Sequence, residues 1–194
     1  MDWANFVDST DTAQAIAQAR QDYAHCRAHL PADLPPGTPL VLLHLGAQDV
    51  VVVLLLGQGG DVAQPVITLP LGVQRVAQRF FRQSPPTLHE LDPAIQTVED
   101  ELDVLRPLIR PGAWLCSRDP ALWALAPLTG LPDGDALTLE VADVERLFDR
   151  FSQVVFGCSW VREALPPHNT FAATLLVLRE FMHHLPVGAL HLRR

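Results

Sequence analysis

Between Pro39 and Leu69 the chain carries three apolar runs separated by two turns, and this stretch restricts what the remainder can fold around. Leu40–Leu45 is apolar except for His44, Val50–Leu56 is entirely Val and Leu, and Val62–Leu69 completes the set. Runs of this length, bounded by Gly and rich in Val and Leu, fit strands buried on both faces better than helices. Residues 46–49 supply the first turn. Gly57-Gln58-Gly59-Gly60-Asp61 supplies the second, with residues that tolerate the positive φ a hairpin needs. The prediction is a three-stranded meander at the centre of a sheet.

The flanking chain alternates. A helix is predicted from Asp11 to His29, with Ser9, Thr10 and Asp11 as cap candidates and Ala13, Ile16, Ala17, Tyr23 and Ala24 marking its apolar face. Pro31 ends it, and Pro35-Pro36-Gly37 leads into the first strand. After the meander a helix runs from Val73 to Arg82, closed by Pro85-Pro86. Thr87 with Glu90 then forms a capping box for a helix reaching Leu105. Further on come a strand at Ala113–Cys116, a helix at Pro120–Leu128, a loop at Pro132–Asp135, a strand at Ala136–Glu140 and a helix at Asp143–Phe156. A helical stretch in two pieces around Pro166-Pro167 ends at His184, and Val187–Leu192 is the last strand. The expected class is α/β with one mixed sheet, in which residues 1–10 are a short leading segment and residues 11–194 a single domain.

Leu40–Asp61, LVLLHLGAQDVVVVLLLGQGGD, resembles the second-lobe phosphate hairpin of the exopolyphosphatase and guanosine pentaphosphate phosphatase (Ppx/GppA) family. The likeness continues through Thr68-Leu69-Pro70-Leu71-Gly72-Val73, Arg75, Arg79-Phe80-Phe81 and Ser84-Pro85-Pro86-Thr87. It implies a ribonuclease-H-like, actin-like ATPase lobe and a phosphatase ancestry. It also implies a cleft between two lobes, of which the sequence is expected to carry only the second.

Three places carry the chemistry in that family, and all three depart here. Where the family has Asp-Ile-Gly-Gly-Gly-Ser, whose amides approach phosphate and whose Asp helps hold a divalent metal, this chain has His44-Leu45-Gly46-Ala47-Gln48-Asp49. His44 replaces a metal carboxylate, Ala47 and Gln48 restrict the turn, and Asp49 puts a negative charge where phosphate oxygens would approach. At ~4 Å and an effective dielectric near 20, like charges repel by roughly 4 kcal/mol. The family's catalytic glutamate would fall at Ala17 or Gln18, and the first glutamate of the chain is Glu90. Asp11 and Asp22 are the nearby carboxylates, expected as a cap and an exposed helix residue. A Gly-Gly-Thr element of the family becomes Ser117-Arg118-Asp119-Pro120, in which Pro120 removes an amide and Asp119 caps the following helix. Arg118 is the residue there that could favour an anion.

Composition narrows the alternatives. All 14 basic residues are Arg, so a P-loop, a Schiff-base enzyme or a kinase-type lysine is excluded. The net charge of −8 opposes general nucleic-acid binding. Cys26, Cys116 and Cys158 form no C-x-x-C pair and are expected as small buried apolar residues. No apolar run reaches the ~18 residues of a membrane span, and MDWANFVDST lacks a signal-peptide pattern, so a cytoplasmic protein is expected. Arg75, Arg79 and Arg82, spaced i, i+4 and i+7, form a candidate anion-binding row. His183, His184 and His191 lack metal spacing, Ser117 and Ser159 lack a nucleophile elbow, and Glu99, Asp100, Glu101 and Asp103 are expected on the wet side of a helix.

The expectation is therefore a pseudoenzyme with no catalytic residues, no metal and no cofactor, acting as a binding or assembly protein with a second copy or another protein as partner. The alternatives are non-hydrolytic sensing of polyphosphate or a guanosine polyphosphate through Arg75, Arg79, Arg82 or Arg118, and a residual Mg2+-dependent phosphatase completed by a separate first lobe.

Overall fold

The computed structural model describes residues 3, 11–55 and 65–194. Six strands form one sheet: β1 (Leu40–Leu45), β2 (Val50–Leu55), β3 (Val66–Leu69), β4 (Ala113–Ser117), β5 (Ala136–Glu140) and β6 (Val187–Arg193), in the order β3-β2-β1-β4-β6-β5. β1, β2 and β3 pair antiparallel, β4 lies parallel to β1, β6 parallel to β4, and β5 antiparallel to β6. The predicted meander is thus half of a mixed sheet. The glycine-rich turn proposed at 57–61, and the start of the third run at 62–64, lie outside the described residues; what is described of that run is strand from Val66.

β1 is buried on both faces apart from the half-buried His44, and Val50–Leu54 of β2 are buried on both faces, as their apolar runs require. Val41, Leu43, Leu45, Val50, Val52 and Leu54 point into the larger core. The helices over that face are α2 (Val73–Phe80), α3 (Leu88–Leu102), α5 (Val141–Val155) and α7 (Asn169–His184), with α4 (Pro120–Leu125) and the short α6 (Trp160–Glu163) beside them. α7 is apolar almost all round and packs against α2, α3 and α5, which is how a helix central to a layer must be composed. α3 starts on the predicted capping box, with the Glu90 carboxylate accepting the Thr87 N–H at 2.7 Å, and buries Leu91, Ala94, Val98 and Leu102 along one stripe.

Among the described residues the helix covering the opposite face is α1 (Thr12–Ala28), over Leu40, Leu42, Val51, Val53, Trp114 and Cys116. Its buried stripe is Ala15, Ala19, Asp22, Tyr23 and Cys26. The predicted stripe was rotated from this: Ala13, Ala17 and Ala24 are exposed. Alanines on every side of the helix give little amphipathic signal, so packing against β1 and β4 decides the face. Two boundaries also differ. The helix predicted to Arg82 ends at Phe80, with Phe81 already extended, and the helix predicted to Leu128 turns from α into 3-10 after Leu125. Among the described residues no helix is long and apolar enough to cross a membrane.

Because β1 and β4 are parallel neighbours, the turn after β1 and the loop after β4 emerge side by side. That edge is where the sequence placed both altered loops.

Candidate functional site

The turn at 46–49 is closed by the Gly46 N–H donating to the Asp49 carbonyl at 3.0 Å. It is joined to the start of α2 by backbone bonds. Gly72 N–H donates to Gln48 O, Val73 N–H to Gly46 O, and Gln74 and Arg75 N–H both to Ala47 O, all within 3.0–3.2 Å. The contact is so close that a Cβ on Gly72 would lie 2.1 Å from the Gln48 carbonyl carbon. The amides at a helix N-terminus are the ones an anion would ordinarily receive, and here the turn's carbonyls hold them.

Asp49, expected to project charge into that space, is engaged inside the corner. One carboxylate oxygen accepts the Thr12 hydroxyl, and the other lies 3.6 Å from Arg75 Nη2. Arg75 Nε donates to Gln48 O at 2.7 Å. The repulsion expected at Asp49 is accordingly offset by a guanidinium from the first turn of α2.

The loop after β4 is drawn onto β1. Ser117, fully buried, donates its hydroxyl to Leu43 O at 2.7 Å and accepts the Asp119 N–H at 3.0 Å. Asp119, 3% exposed, accepts the Leu45 N–H on one oxygen and the Ala121 N–H on the other, each at 2.8 Å. It therefore caps α4, as predicted, and also ties the end of β1 to it. Burial pushes the Asp119 carboxyl up from the usual range, opposed by His44 and by the amides it accepts. His44 Nδ1 stands 3.2 Å from Asp119 Oδ2. His44, the residue in the position of a metal carboxylate, is thus directed at the one acid that the loop buries.

Arg118 reaches across to α1, with Nη1 3.3 Å from Asp22 Oδ1. Asp22, predicted as an exposed helix residue, is 4% exposed and also accepts the Gln18 side-chain amide at 2.9 Å. The helix positions matched to a catalytic glutamate hold Ala17, exposed, and Gln18, which serves Asp22.

The predicted arginine row does not assemble on one helix face. Arg75 is committed to the turn, Arg79 lies over the Phe80 ring at 4.9 Å, and Arg82 falls beyond the end of α2, its N–H donated to Glu90. The histidines take different partners: His191 stacks on Trp114, His183 faces Glu145, and His184, whose ring meets that of His183 edge-on, faces Glu99 and Glu180. Glu99 is therefore not merely on the wet side of α3. Cys26 and Cys116 are buried, whereas Cys158 is only partly so. The i, i+4 pair Glu180 and His184 was a signal available in the sequence; its junction with Glu99 on another helix was not.

A three-stranded antiparallel meander continued by parallel strands, with helices on both faces, defines the ribonuclease-H-like lobe of actin-like proteins. No protein-family model matches the sequence, and no curated protein is similar enough to be paired with it. Solved structures that share the fold include Ppx/GppA proteins and exopolyphosphatases. An Aquifex aeolicus PPX-GPPA enzyme superposes with a TM-score of 0.67 at 18% identity, over 91% of this chain and 59% of its own. A Cytophaga hutchinsonii exopolyphosphatase superposes with a TM-score of 0.63 at 13% identity, over 92% of this chain and 59% of its own. The chain thus spans about three fifths of the length of these neighbours, and has the fold of one lobe of that family.

Proposed function

We propose that this Ppx/GppA-like lobe is a non-catalytic binding or assembly protein. The observation that carries the reading is Asp119, whose carboxylate occupies the Leu45 and Ala121 amides where β1 and β4 end side by side. Amides that face phosphate in a hydrolase of this fold would need to be free, and an acid held over them opposes an anion. The donor set also does not fit a magnesium ion, which favours accessible carboxylate oxygens in octahedral array. Asp119 is desolvated and bonded, Asp49 is bonded to Thr12 and paired with Arg75, and His44 supplies a nitrogen. Gln18 in place of a glutamate offers no base for an attacking water.

The test is phosphate release from polyphosphate and guanosine pentaphosphate with magnesium, run beside Asp49→Ala as a control for contaminating phosphatase. Release at the blank level is expected. Release that disappears in Asp49→Ala would overturn the reading, because the turn would then be performing chemistry. Self-association is read by light scattering coupled to size exclusion, where a concentration-independent monomer would leave a different protein as the partner.

A second reading is favoured by Arg118, whose Nε is buried without a hydrogen-bond partner among the described residues. It is non-hydrolytic binding of polyphosphate or a guanosine polyphosphate beside Arg118. A thermal shift with either ligand at low salt, lost in Arg118→Gln, supports it; no shift with either sinks it.

A further inference from the structure

Away from the β1 and β4 loops, the last turns of α3 and α7 bring together Glu99, Glu180 and His184. β6 begins three residues after His184, so this cluster sits toward the opposite edge of the sheet from the turn at 46–49. We infer that these three side chains form a binding site for a divalent transition-metal ion of the Zn2+ type, bridging α3 to α7.

The argument rests on one nitrogen facing two carboxylates. His184 Nε2 lies 3.1 Å from Glu99 Oε1 and 3.2 Å from Glu180 Oε2. An imidazole nitrogen offers one proton or one lone pair. Its hydrogen bond goes to Glu99, which leaves Glu180 Oε2 with no hydrogen-bond partner among the described residues, on a side chain that is 0% exposed. A buried carboxylate oxygen is seldom left so. An ion between the three groups resolves the conflict, because each contributes one lone pair to it and none needs the shared proton.

Size and charge agree. With bonds of about 2.1 Å, neighbouring ligand atoms stand about 3.4 Å apart in a tetrahedral shell and about 3.0 Å apart in an octahedral one. Both measured separations from Nε2 fall in that interval, and the three ligand atoms all lie within 4.8 Å of one another. Two carboxylates and an imidazole suit Zn2+, Co2+ or Mn2+ better than Mg2+. Arg179 Nη1 donates to Glu180 Oε1 at 2.7 Å and so directs Oε2 into the cluster, as an outer-shell partner directs a ligand. Glu145 faces Arg179 and His183 alongside, so the surroundings hold three carboxylates against one guanidinium, an excess that a dication neutralises. Glu99 is 31% and His184 25% exposed, which leaves a route in and room for water at the open positions.

Tag-free protein stripped with a chelator is titrated with Co2+ and with Zn2+ by calorimetry, with the visible absorption of Co2+ as an independent readout of the ligand shell. Glu99→Gln and His184→Asn are used because both residues reach the surface and can change without stranding Arg179. The pair His25 and His29, stacked one turn apart at the C-terminal end of α1, is the competing site, tested as His25→Ala/His29→Ala. The expected result is one equivalent bound by wild type and by the α1 variant, with affinity reduced at least about tenfold in Glu99→Gln and in His184→Asn. The inference is overturned if wild type binds no ion, if binding survives both ligand variants, or if it is lost in the α1 variant alone.

Discussion

Gly72→Ala tests whether the corner between β1 and α2 is as tightly joined as its hydrogen bonds imply. Gly72 stands at the N-cap of α2 with φ −57° and ψ 145°, a conformation alanine adopts without strain. Local propensity alone predicts a small change. Alanine loses the modest N-cap preference of glycine, and it recovers ~0.4–1 kcal/mol by restricting the unfolded chain. The packing predicts something else. The added methyl would lie 2.1 Å from the Gln48 carbonyl carbon and 2.4 Å from both Ala47 O and Asp49 N, all backbone atoms that cannot rotate away. The turn and helix must part by more than an ångström, which stretches the bonds from Gly72 to Gln48 and from Gln74 and Arg75 to Ala47. Overpacking of this kind costs ~1–3 kcal/mol, and each weakened hydrogen bond ~0.5–1.5 kcal/mol. A net destabilisation of about 3–5 kcal/mol is expected, which for a chain of this size lowers Tm by roughly 6–20 °C. Urea unfolding followed by tryptophan fluorescence measures it. Gly188→Ala, in β6 where an added Cβ meets nothing within 4 Å, is the matched control and should be near neutral. A Gly72→Ala protein within ~0.5 kcal/mol of wild type would refute the reasoning.

Two other perturbations separate the elements around that corner. Asp119→Ala removes the α4 cap and leaves the buried Leu45 N–H without an acceptor, so a loss of about 2–4 kcal/mol is expected in the same urea measurement. Glu90→Gln tests the α3 capping box through its pH dependence: the Thr87 N–H, above all, holds the Glu90 carboxyl below its usual value, burial opposes it, and the Arg82 N–H adds to the lowering. A carboxyl depressed in the folded state adds stability above its unfolded pKa and loses it as pH falls through the folded pKa. Wild type should therefore exceed Glu90→Gln at neutral pH, with the gap closing below about pH 4.3; a gap independent of pH would discount the capping bond.

What could be read from the chain alone followed how local each determinant is. The meander was legible because Val50–Leu55 cannot be anything but a strand buried on both faces, and α3 because Thr87 and Glu90 form a complete capping signal within four residues. Asp119 was legible as the cap of α4 for the same reason, but not as the acceptor of the Leu45 N–H. The face of α1 was not legible, since packing against β1 and β4 sets it, and Asp22 on that face is met by Arg118, 96 residues away. Asp49 was placed at the right turn, but its neutralisation by Arg75 depends on α2 folding back onto that turn. The arginine row crosses a boundary that the sequence did not show: α2 stops at Phe80, so Arg82 lies beyond the helix that carries Arg75 and Arg79.

The substitutions at this edge of the sheet form a connected set. Strands β1 and β4 and the start of α2 converge here because the topology brings them together, and convergence concentrates backbone amides that need acceptors. A bound phosphate can satisfy such amides; so can the protein itself. In this chain Asp119 serves the ends of β1 and α4, the carbonyls at 46–48 serve α2, and Thr12 and Arg75 serve Asp49. Glycine at 72 permits the approach, and Ser117 fixes the loop that carries Asp119. An anion entering this corner would have to displace a desolvated carboxylate and several backbone bonds, each already satisfied. A corner closed in this way satisfies its own backbone amides, so its stability does not depend on a bound anion.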